Sequence, residues 1–447
     1  MKSIYHSCQG ESHLADNKPC QDSSYAETSP ELSMAIVSDG HGGERYFRSH
    51  FGSKFAVEET AEAIREFVKV TNPEIFKSEF TAHSEVSSSD LSLNDRAYES
   101  FRRLFASIIF KWNLRIDEHA RNTDLTEWES SNVDLKYKDE FLRNRDNVDS
   151  SFEKTYGCTL MAFVKTPDYW FAFQIGDGKL VVMHEKENEI SCLQPVPWDE
   201  KCFLNRTTSI CDSSALSEFR FCYQGNGEFP IGAFLGSDGM DDSYGDGDNL
   251  HNFYIELYKL FIKKGDKHTL KELEVSLPQI SKFGSKDDMS VAALFSDSDP
   301  VSIFVKLLNS QISKISELID NLDSKIQNEQ NKLCSLESGD NSQHNAIERK
   351  YAENNIDRFT SQKKKIDYKR RALKGCLTSF KKKHGLFCEE EPMPIPFDND
   401  GEFGNNTENK IDVEPLNPDE GMSYNPNEQT KRIQKALGRK IKVKKVK

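Results

Sequence analysis

Residues 34–44 read MAIVSDGHGGE, and the fold is decided on that stretch. An apolar run of strand length stops at an aspartate, and a glycine, a histidine and two more glycines follow. Taken alone, Asp-Gly after a strand is a turn. The same shape recurs, however. FAFQIGDG ends on Asp177, GAFLGSDG ends on Asp238, and SKDDMSVAALF carries Asp287 and Asp288 just ahead of an apolar run. If these strands share a sheet, their carboxylates converge on one edge, where cations must neutralise them. Oxygen donors without a His or Cys set suit hard cations, Mg²⁺ or Mn²⁺ rather than zinc or copper. Two such ions about 3.5–4 Å apart share a water, lower its pKa and aim it at phosphorus. Gly40 lets its carbonyl turn inward as a ligand, and His41 stands where it could protonate a leaving alkoxide.

Working outward, CTLMAFV, YWFAFQI, KLVVMH and MSVAALF also have strand length, while 51–70, 97–120 and 250–264 carry helical spacing. Strands and helices do not alternate strictly, which favours antiparallel sheets with helices packed outside over a parallel sheet. Residues 1–297 therefore read as one α+β domain. Two polar stretches within it, 71–94 and 121–154, read as surface insertions, either of which could serve as a substrate lid. Leu308, Ile312, Ile315, Ile319, Leu322, Ile326, Leu333 and Leu336 follow a 4-3 spacing with Glu329 in the seam. After ESGDNSQHN the spacing resumes from Ala352 through Phe359 to Phe380, with Lys363 and Arg370 intruding. This predicts a helical coiled-coil hairpin over 301–384; the other reading is two ordinary helices lying on the domain. Residues 385–447 are rich in Pro, Asn, Gly and acid and then close on a basic run, which predicts a disordered tail.

The net charge of −14 is placed unevenly: 301–384 holds 17 Lys/Arg against 10 Asp/Glu, 385–447 holds 10 against 12, and 1–300 holds 32 against 51. An acidic body with a basic arm excludes one uniform nucleic-acid surface; the basic end is either a solvated tail or a contact for nucleic acid or an acidic partner. The ten cysteines fit no metal spacing and read as free thiols of a reducing, cytoplasmic compartment. No apolar run reaches the roughly 18 residues a membrane span needs.

At its aspartates the chain resembles the metal-dependent protein phosphatases of the 2C type, in their bacterial branch. The resemblance covers about residues 5–296, and its motifs stand in the family's order: CQDSS at 20–24, SDGHGG at 38–43, YGCTL at 156–160, IGDGK at 175–179, GSDGMDD at 236–242 and SKDDMSV at 285–291. It implies a pair of antiparallel sheets flanked by helices, an α-β-β-α sandwich, and hydrolysis of phosphoserine and phosphothreonine in proteins. It implies two Mn²⁺ or Mg²⁺ ions with room for a third, a phosphorylated protein as substrate, and a cognate Ser/Thr kinase. Carried over residue by residue, Asp39 would bridge the two metals and Gly40 would offer its carbonyl. Asp238 and Asp287 would complete one ion's ligands, and His41 would be the general acid. Asp177, and Asp242 nearby, would hold the third metal, and Asp22 would orient metal-bound water. Two positions depart from the pattern. Gln21 stands where an acid is usual, leaving that metal a neutral ligand. Asn17 stands where an arginine usually grips phosphate, which leaves Lys18 or His13 to substitute. The rival expectation is a pseudophosphatase, a phosphoprotein-binding scaffold acting through its coiled coil. Residues 301–384 could also pair two copies of the chain or dock it on a partner.

Overall fold

The computed structural model describes residues 1–86, 95–202, 206–245, 247–337 and 343–386. Eleven strands are found among them: β1 (Lys2–Cys8), β2 (Ser23–Thr28), β3 (Ser33–Ser38), β4 (Thr81–His83), β5 (Leu160–Lys165), β6 (Trp170–Ile175), β7 (Lys179–Glu185), β8 (Ile190–Leu193), β9 (Arg220–Gln224), β10 (Gly232–Gly236) and β11 (Met289–Phe295). They form two sheets, in the orders β1-β11-β10-β7-β8 and β2-β3-β5-β6-β9-β4, and every pairing is antiparallel.

The apolar runs lack alternation because both faces of their strands are buried. On β3, Met34 and Ile36 face the helical side of the core, whereas Ala35 and Val37 face the other sheet. β5 repeats this, with Leu160, Ala162 and Val164 on one side and Met161 and Phe163 on the other. Leu180, Val182, Ala233, Leu235, Ala292 and Leu294 complete the layer between the sheets. The expected sandwich is therefore present.

Eleven helices accompany the strands: α1 (Glu11–Ala15), α2 (Ser49–Val70), α3 (Arg96–Asn122), α4 (Glu127–Asn132), α5 (Leu135–Arg145), α6 (Ala215–Glu218), α7 (Asp238–Tyr244), α8 (Gly247–Lys264), α9 (Asp266–Phe283), α10 (Pro300–Glu337) and α11 (Gln343–Lys383). α2 and α3 cover the six-stranded sheet through Phe55, Ile64, Phe101, Phe105 and Trp112. α8 covers the other sheet, with the Phe261 ring stacked 4.6 Å from Phe295. α2 passes so close to the YGCTL segment that a Cβ on Gly52 would lie 1.8 Å from the Tyr156 carbonyl oxygen.

The insertion at 121–154 is folded. Its helix α4 is tied to the start of α2, a few residues past the SDGHGG loop, by a fully buried ion pair. The Arg48 guanidinium donates to both Glu129 carboxylate oxygens at 2.8 and 3.0 Å, to the Asp124 carbonyl at 2.8 Å and to the Tyr156 hydroxyl at 3.2 Å. Two parallel bonds and further acceptors offset the desolvation that a buried pair incurs. Of the other insertion, Pro73–Phe76 is a single 3₁₀ turn and β4 follows it, while 87–94 lies outside the described residues.

α10 and α11 run antiparallel as a helical hairpin: Phe304 meets Phe380 at 4.1 Å, Lys332 bonds Glu348 at 3.0 Å, and Asn355 donates to Glu329 at 3.1 Å. Two of the polar residues that interrupt the apolar seam thus pair across it, Glu329 with Asn355 and Lys363 with Asp323, whereas Arg370 bonds Asp367 on its own helix. The first turns of α10 lie on the domain. Ile303, Phe304, Leu307 and Leu308 are buried there. Ser310 Oγ accepts from the Ile190 N–H at 2.6 Å and donates to the Ile190 carbonyl at 3.0 Å, closing the free edge of β8. The root of this segment lies on the domain and the remainder is a hairpin. The tail expected from 385 lies, beyond Leu386, outside the described residues. The nine described cysteines are free, and no helix among the described residues is long and apolar enough to cross a membrane.

Candidate active site

One end of the sandwich gathers the strand-end aspartates. β2 starts where β3 ends, Ser23 opposite Ser38, so Asp22 and Asp39 are brought together from the six-stranded sheet. β10 ends beside the start of β11, Gly236 opposite Val291, which brings Asp238 near Asp287 and Asp288 from the other sheet. Asp177 sits in the turn from β6 to β7, with Gly176 at φ +110°, a conformation that favours glycine.

Asp39 and Asp238 stand beside each other, half-buried, and their carboxyl groups perturb one another. Burial, and then the neighbouring charge, holds Asp39 well above the usual carboxylate range and pushes Asp238 up to about 6. Asp238 is the hub, also feeling Asp177, Asp287 and Asp242. Burial raises Asp22 as well, with Asp288 the next cause, while a hydrogen bond from Ser237 works the other way. Asp177 and Asp242 are raised by burial, and the nearby Thr207 hydroxyl opposes the shift at Asp177. Asp287 is exposed, its Oδ1 accepting from the Asp288 N–H at 2.9 Å.

The SDGHGG loop is fixed from both sides. Thr159 Oγ1 accepts from the Asp39 N–H at 3.1 Å, and the Asp39 carbonyl accepts from the Thr159 N–H at 2.8 Å. A Cβ on Gly40 would lie 2.5 Å from the Gln21 carbonyl oxygen, so only glycine lets the two loops close on each other. Gln21 is buried. Its amide nitrogen donates to the His41 carbonyl at 3.0 Å and to Ser49 Oγ, while its Oε1 has no partner. Asp22 Oδ2 is likewise buried and unpartnered. His41 Nε2 lies 2.7 Å from Ser209 Oγ, and burial lowers its pKa to about 4, so the ring is neutral.

Lys18 donates to the Gly42 carbonyl at 2.9 Å; burial lowers its pKa, and Asp288, Asp287, Asp16 and Asp39 oppose that. It is thus one cation beside the aspartates, Lys179 near Asp241 being another. His13 does not face them freely, because its Nδ1 stands 2.9 Å from Asp288 Oδ2. Asn17 is exposed with φ +50°, a left-handed residue ending the turn after α1, where asparagine is favoured.

Sequence reasoning passed over Asp288 in favour of Asp287. The Asp288 carboxylate is buried and accepts from the Gly10 N–H at 2.7 Å and the Gln21 N–H at 2.6 Å, holding the Gln-Asp loop against β11. The doubled aspartate was the available signal, since neighbours entering a strand point to opposite sides. Ser209 had no signal at all; 168 residues separate it from His41.

The donor set suits a hard cation. It consists of half-buried carboxyls forced together, an orphaned carboxylate oxygen and an orphaned amide oxygen, all of them oxygen. Among the described residues no three His, Cys, Asp or Glu side chains already stand as an ion cage.

Residues 9–274, more than half the chain, match the family model described as Protein phosphatase 2C. The chain belongs to the protein phosphatase 2C family. As a member of that family it is a protein serine/threonine phosphatase, and metal dependence comes with the family. Solved structures similar to this 2C chain include serine/threonine phosphatase Stp1 from Staphylococcus aureus, 14% identical, covering 66% of this chain and 94% of that one with a TM-score of 0.37. The Mycobacterium tuberculosis serine/threonine phosphatase PstP/Ppp is 15% identical, covering 66% and 98% with a TM-score of 0.34. A catalytic domain of PstP in complex with two manganese ions is 14% identical, covering 65% and 96% with a TM-score of 0.35. The assignment of this chain rests on the family match. No curated protein matches it by sequence.

Proposed function

We propose that this 2C domain hydrolyses phosphoserine and phosphothreonine in proteins, with two Mn²⁺ or Mg²⁺ ions at the carboxylate end of the sandwich. The observation that carries the reading is the Asp39–Asp238 pair: half-buried carboxyls from strands of different sheets, close enough to raise each other's proton affinity, which ionise together only beside a cation. Asp39, Asp238, Asp287 and the Gly40 carbonyl would hold the ions, with Gln21 Oε1 as a neutral ligand or an acceptor for ligand water. Asp177 and Asp242 would hold a third, and Asp22 would orient water. When bound, such ions supply Lewis acidity and an activated water for in-line attack on phosphorus.

The chain's own groups do the rest. Lys18 contacts a phosphate oxygen as a point charge, without the bidentate fork of an arginine. His41 delivers the proton to the leaving seryl oxygen. Its ring is neutral as it stands, so it takes up that proton as the phosphate dianion arrives and favours the charged form. Residues 301–384 serve as an arm for a partner or a second copy, separate from catalysis.

The test is phosphate release from phosphoserine peptides with and without Mn²⁺, repeated with Asp39→Asn. Turnover only with metal is expected, falling at least about a hundredfold in the variant. No turnover by wild type on several phosphopeptides overturns the reading. The scaffold alternative draws on Gln21 in place of an acid and on the exposed Asn17. Calorimetric titration with Mn²⁺ separates the two, since a scaffold with a degenerate site binds no metal tightly.

A further inference from the structure

The folded insertion encloses a cavity beside the SDGHGG loop. Its volume is about 170 Å³, room for a side chain rather than for a single water. Arg45 and Phe47 form the wall on the loop side, and Tyr137, Glu140 and Phe141 of α5 form the opposite wall. Ser150, Ser151, Phe152 and Lys154 close it. The cavity adjoins the candidate active site through one residue. Tyr46, which lies between Arg45 and Phe47, packs its ring edge-on against His41 at 4.8 Å.

The walls are fixed. Phe47, Phe141 and Phe152 are buried, with Phe141 edge-on to both other rings at 5.6 and 5.5 Å. The Arg48 guanidinium that holds Glu129 also stacks on Phe141 at 4.5 Å. A cavity lined by aromatic walls and hydroxyls, held by a buried ion pair, is preorganised and needs no ordering when it fills.

Its charges select the occupant. Lys154 is paired with Asp212 at 2.5 Å. Arg45 is exposed and makes no ion pair among the described residues, so a guanidinium stands free at the cavity, next in sequence to the Tyr46 ring that meets His41. Glu140 lies on the far wall, on α5.

We propose that this cavity is a substrate-specificity pocket that takes an acidic side chain flanking the phosphoserine, with Arg45 as its contact. The proposal rests on the phosphatase reading and adds which phosphoproteins the site prefers. The phosphate at the aspartates and the acidic residue at Arg45 lie on either side of the His41–Tyr46 ring pair. Arg45 supplies the local cation that such a substrate needs on a body where acids outnumber bases 51 to 32 over residues 1–300. Glu140 opposes it at the far wall.

The experiment uses the full chain with Mn²⁺ and phosphoserine peptides bearing Glu, Ala or Lys at each of the three positions on either side. Hydrolysis is followed as kcat/KM, and binding is followed by anisotropy of the same peptides carrying a fluorophore. Wild type should prefer Glu over Ala roughly tenfold at one position, the scale of a charge-assisted hydrogen bond. Arg45→Glu should abolish or invert that ratio at that position, and Glu140→Lys should raise it; each variant is judged on its own ratio. Equal ratios in wild type and Arg45→Glu at every position overturn the pocket, as does a preference for Lys in wild type. Absence of Mn²⁺-dependent release from every peptide sinks the phosphatase reading instead, while the binding ratios still decide the pocket.

Discussion

At the scale of the residue, the aspartates set function against stability. Asp39 and Asp238 are half-buried side by side, an arrangement that burdens the metal-free fold and is relieved when a cation binds. Asp238→Asn removes one charge and leaves a hydrogen-bonding amide. The metal-free variant should therefore melt at or above the wild-type temperature, while the rise in Tm that Mn²⁺ confers on wild type should vanish. A variant that melts well below wild type without metal would show that the pair stabilises the fold. His119 gives the pH dependence. Burial first, and the Arg48 charge second, hold its pKa at about 4, and the Tyr156 hydroxyl bonds its Nδ1 at 2.8 Å. The folded pKa lies below the unfolded one, so the unfolded chain takes up the proton first as pH falls. The stability tied to neutral His119 is complete above about pH 6.5 and is lost as pH drops towards 4. Tm measured across that window should fall less steeply for His119→Phe than for wild type.

At the scale of the element, strands that are unbroken apolar runs could be read from the chain and the others could not. MAIVS, LMAFV and AFLG are unbroken apolar runs because each strand lies between a helical layer and a second sheet. β1, β2, β8 and β9 mix polar with apolar residues and escaped notice. β8 in particular buries only Ile190. α4 left one local trace, the Thr126/Glu129 capping box, in a stretch otherwise read as surface. What the stretch could not disclose is that Glu129 bonds the backbone of Thr126 and pairs with Arg48 at once, with no solvent exposure. Glu129→Gln leaves the buried guanidinium uncompensated and should cost roughly 3–5 kcal/mol, measured by urea unfolding. Limited proteolysis should then cut first within 121–154. Replacing Arg48 and Glu129 together by Met and Leu should cost less than the two single changes summed, because the stranded charge disappears with its partner. An additive result would mean that the pair is not coupled.

At the scale of the whole molecule, the helical hairpin is rooted in the catalytic domain. Its helical spacing is plain in the sequence, but its register depends on Asn355 with Glu329 and Lys363 with Asp323. Its root depends on Ile303, Phe304, Leu307 and Leu308 against α8 and β8. A chain ending at residue 299 loses that cover and bares the β8 edge, so it should melt more than about 5 °C lower and self-associate in light scattering, with Mn²⁺-dependent turnover per folded molecule retained. An unchanged Tm would mean that the hairpin is not part of the domain's stability. The sequence by itself determined the layered α+β sandwich and the aspartates at its strand ends, because apolar runs and Asp-Gly turns are local signals. Which carboxylates meet was decided only by the tertiary structure. Asp39 reaches Asp238 across two sheets, Asp288 is drawn inward to the Gly10 and Gln21 backbone, and His41 finds Ser209. The folded insertion beside His41 belongs to the same class. It is held by a buried ion pair between residues 81 positions apart, and a contact at that separation leaves no periodicity in the chain.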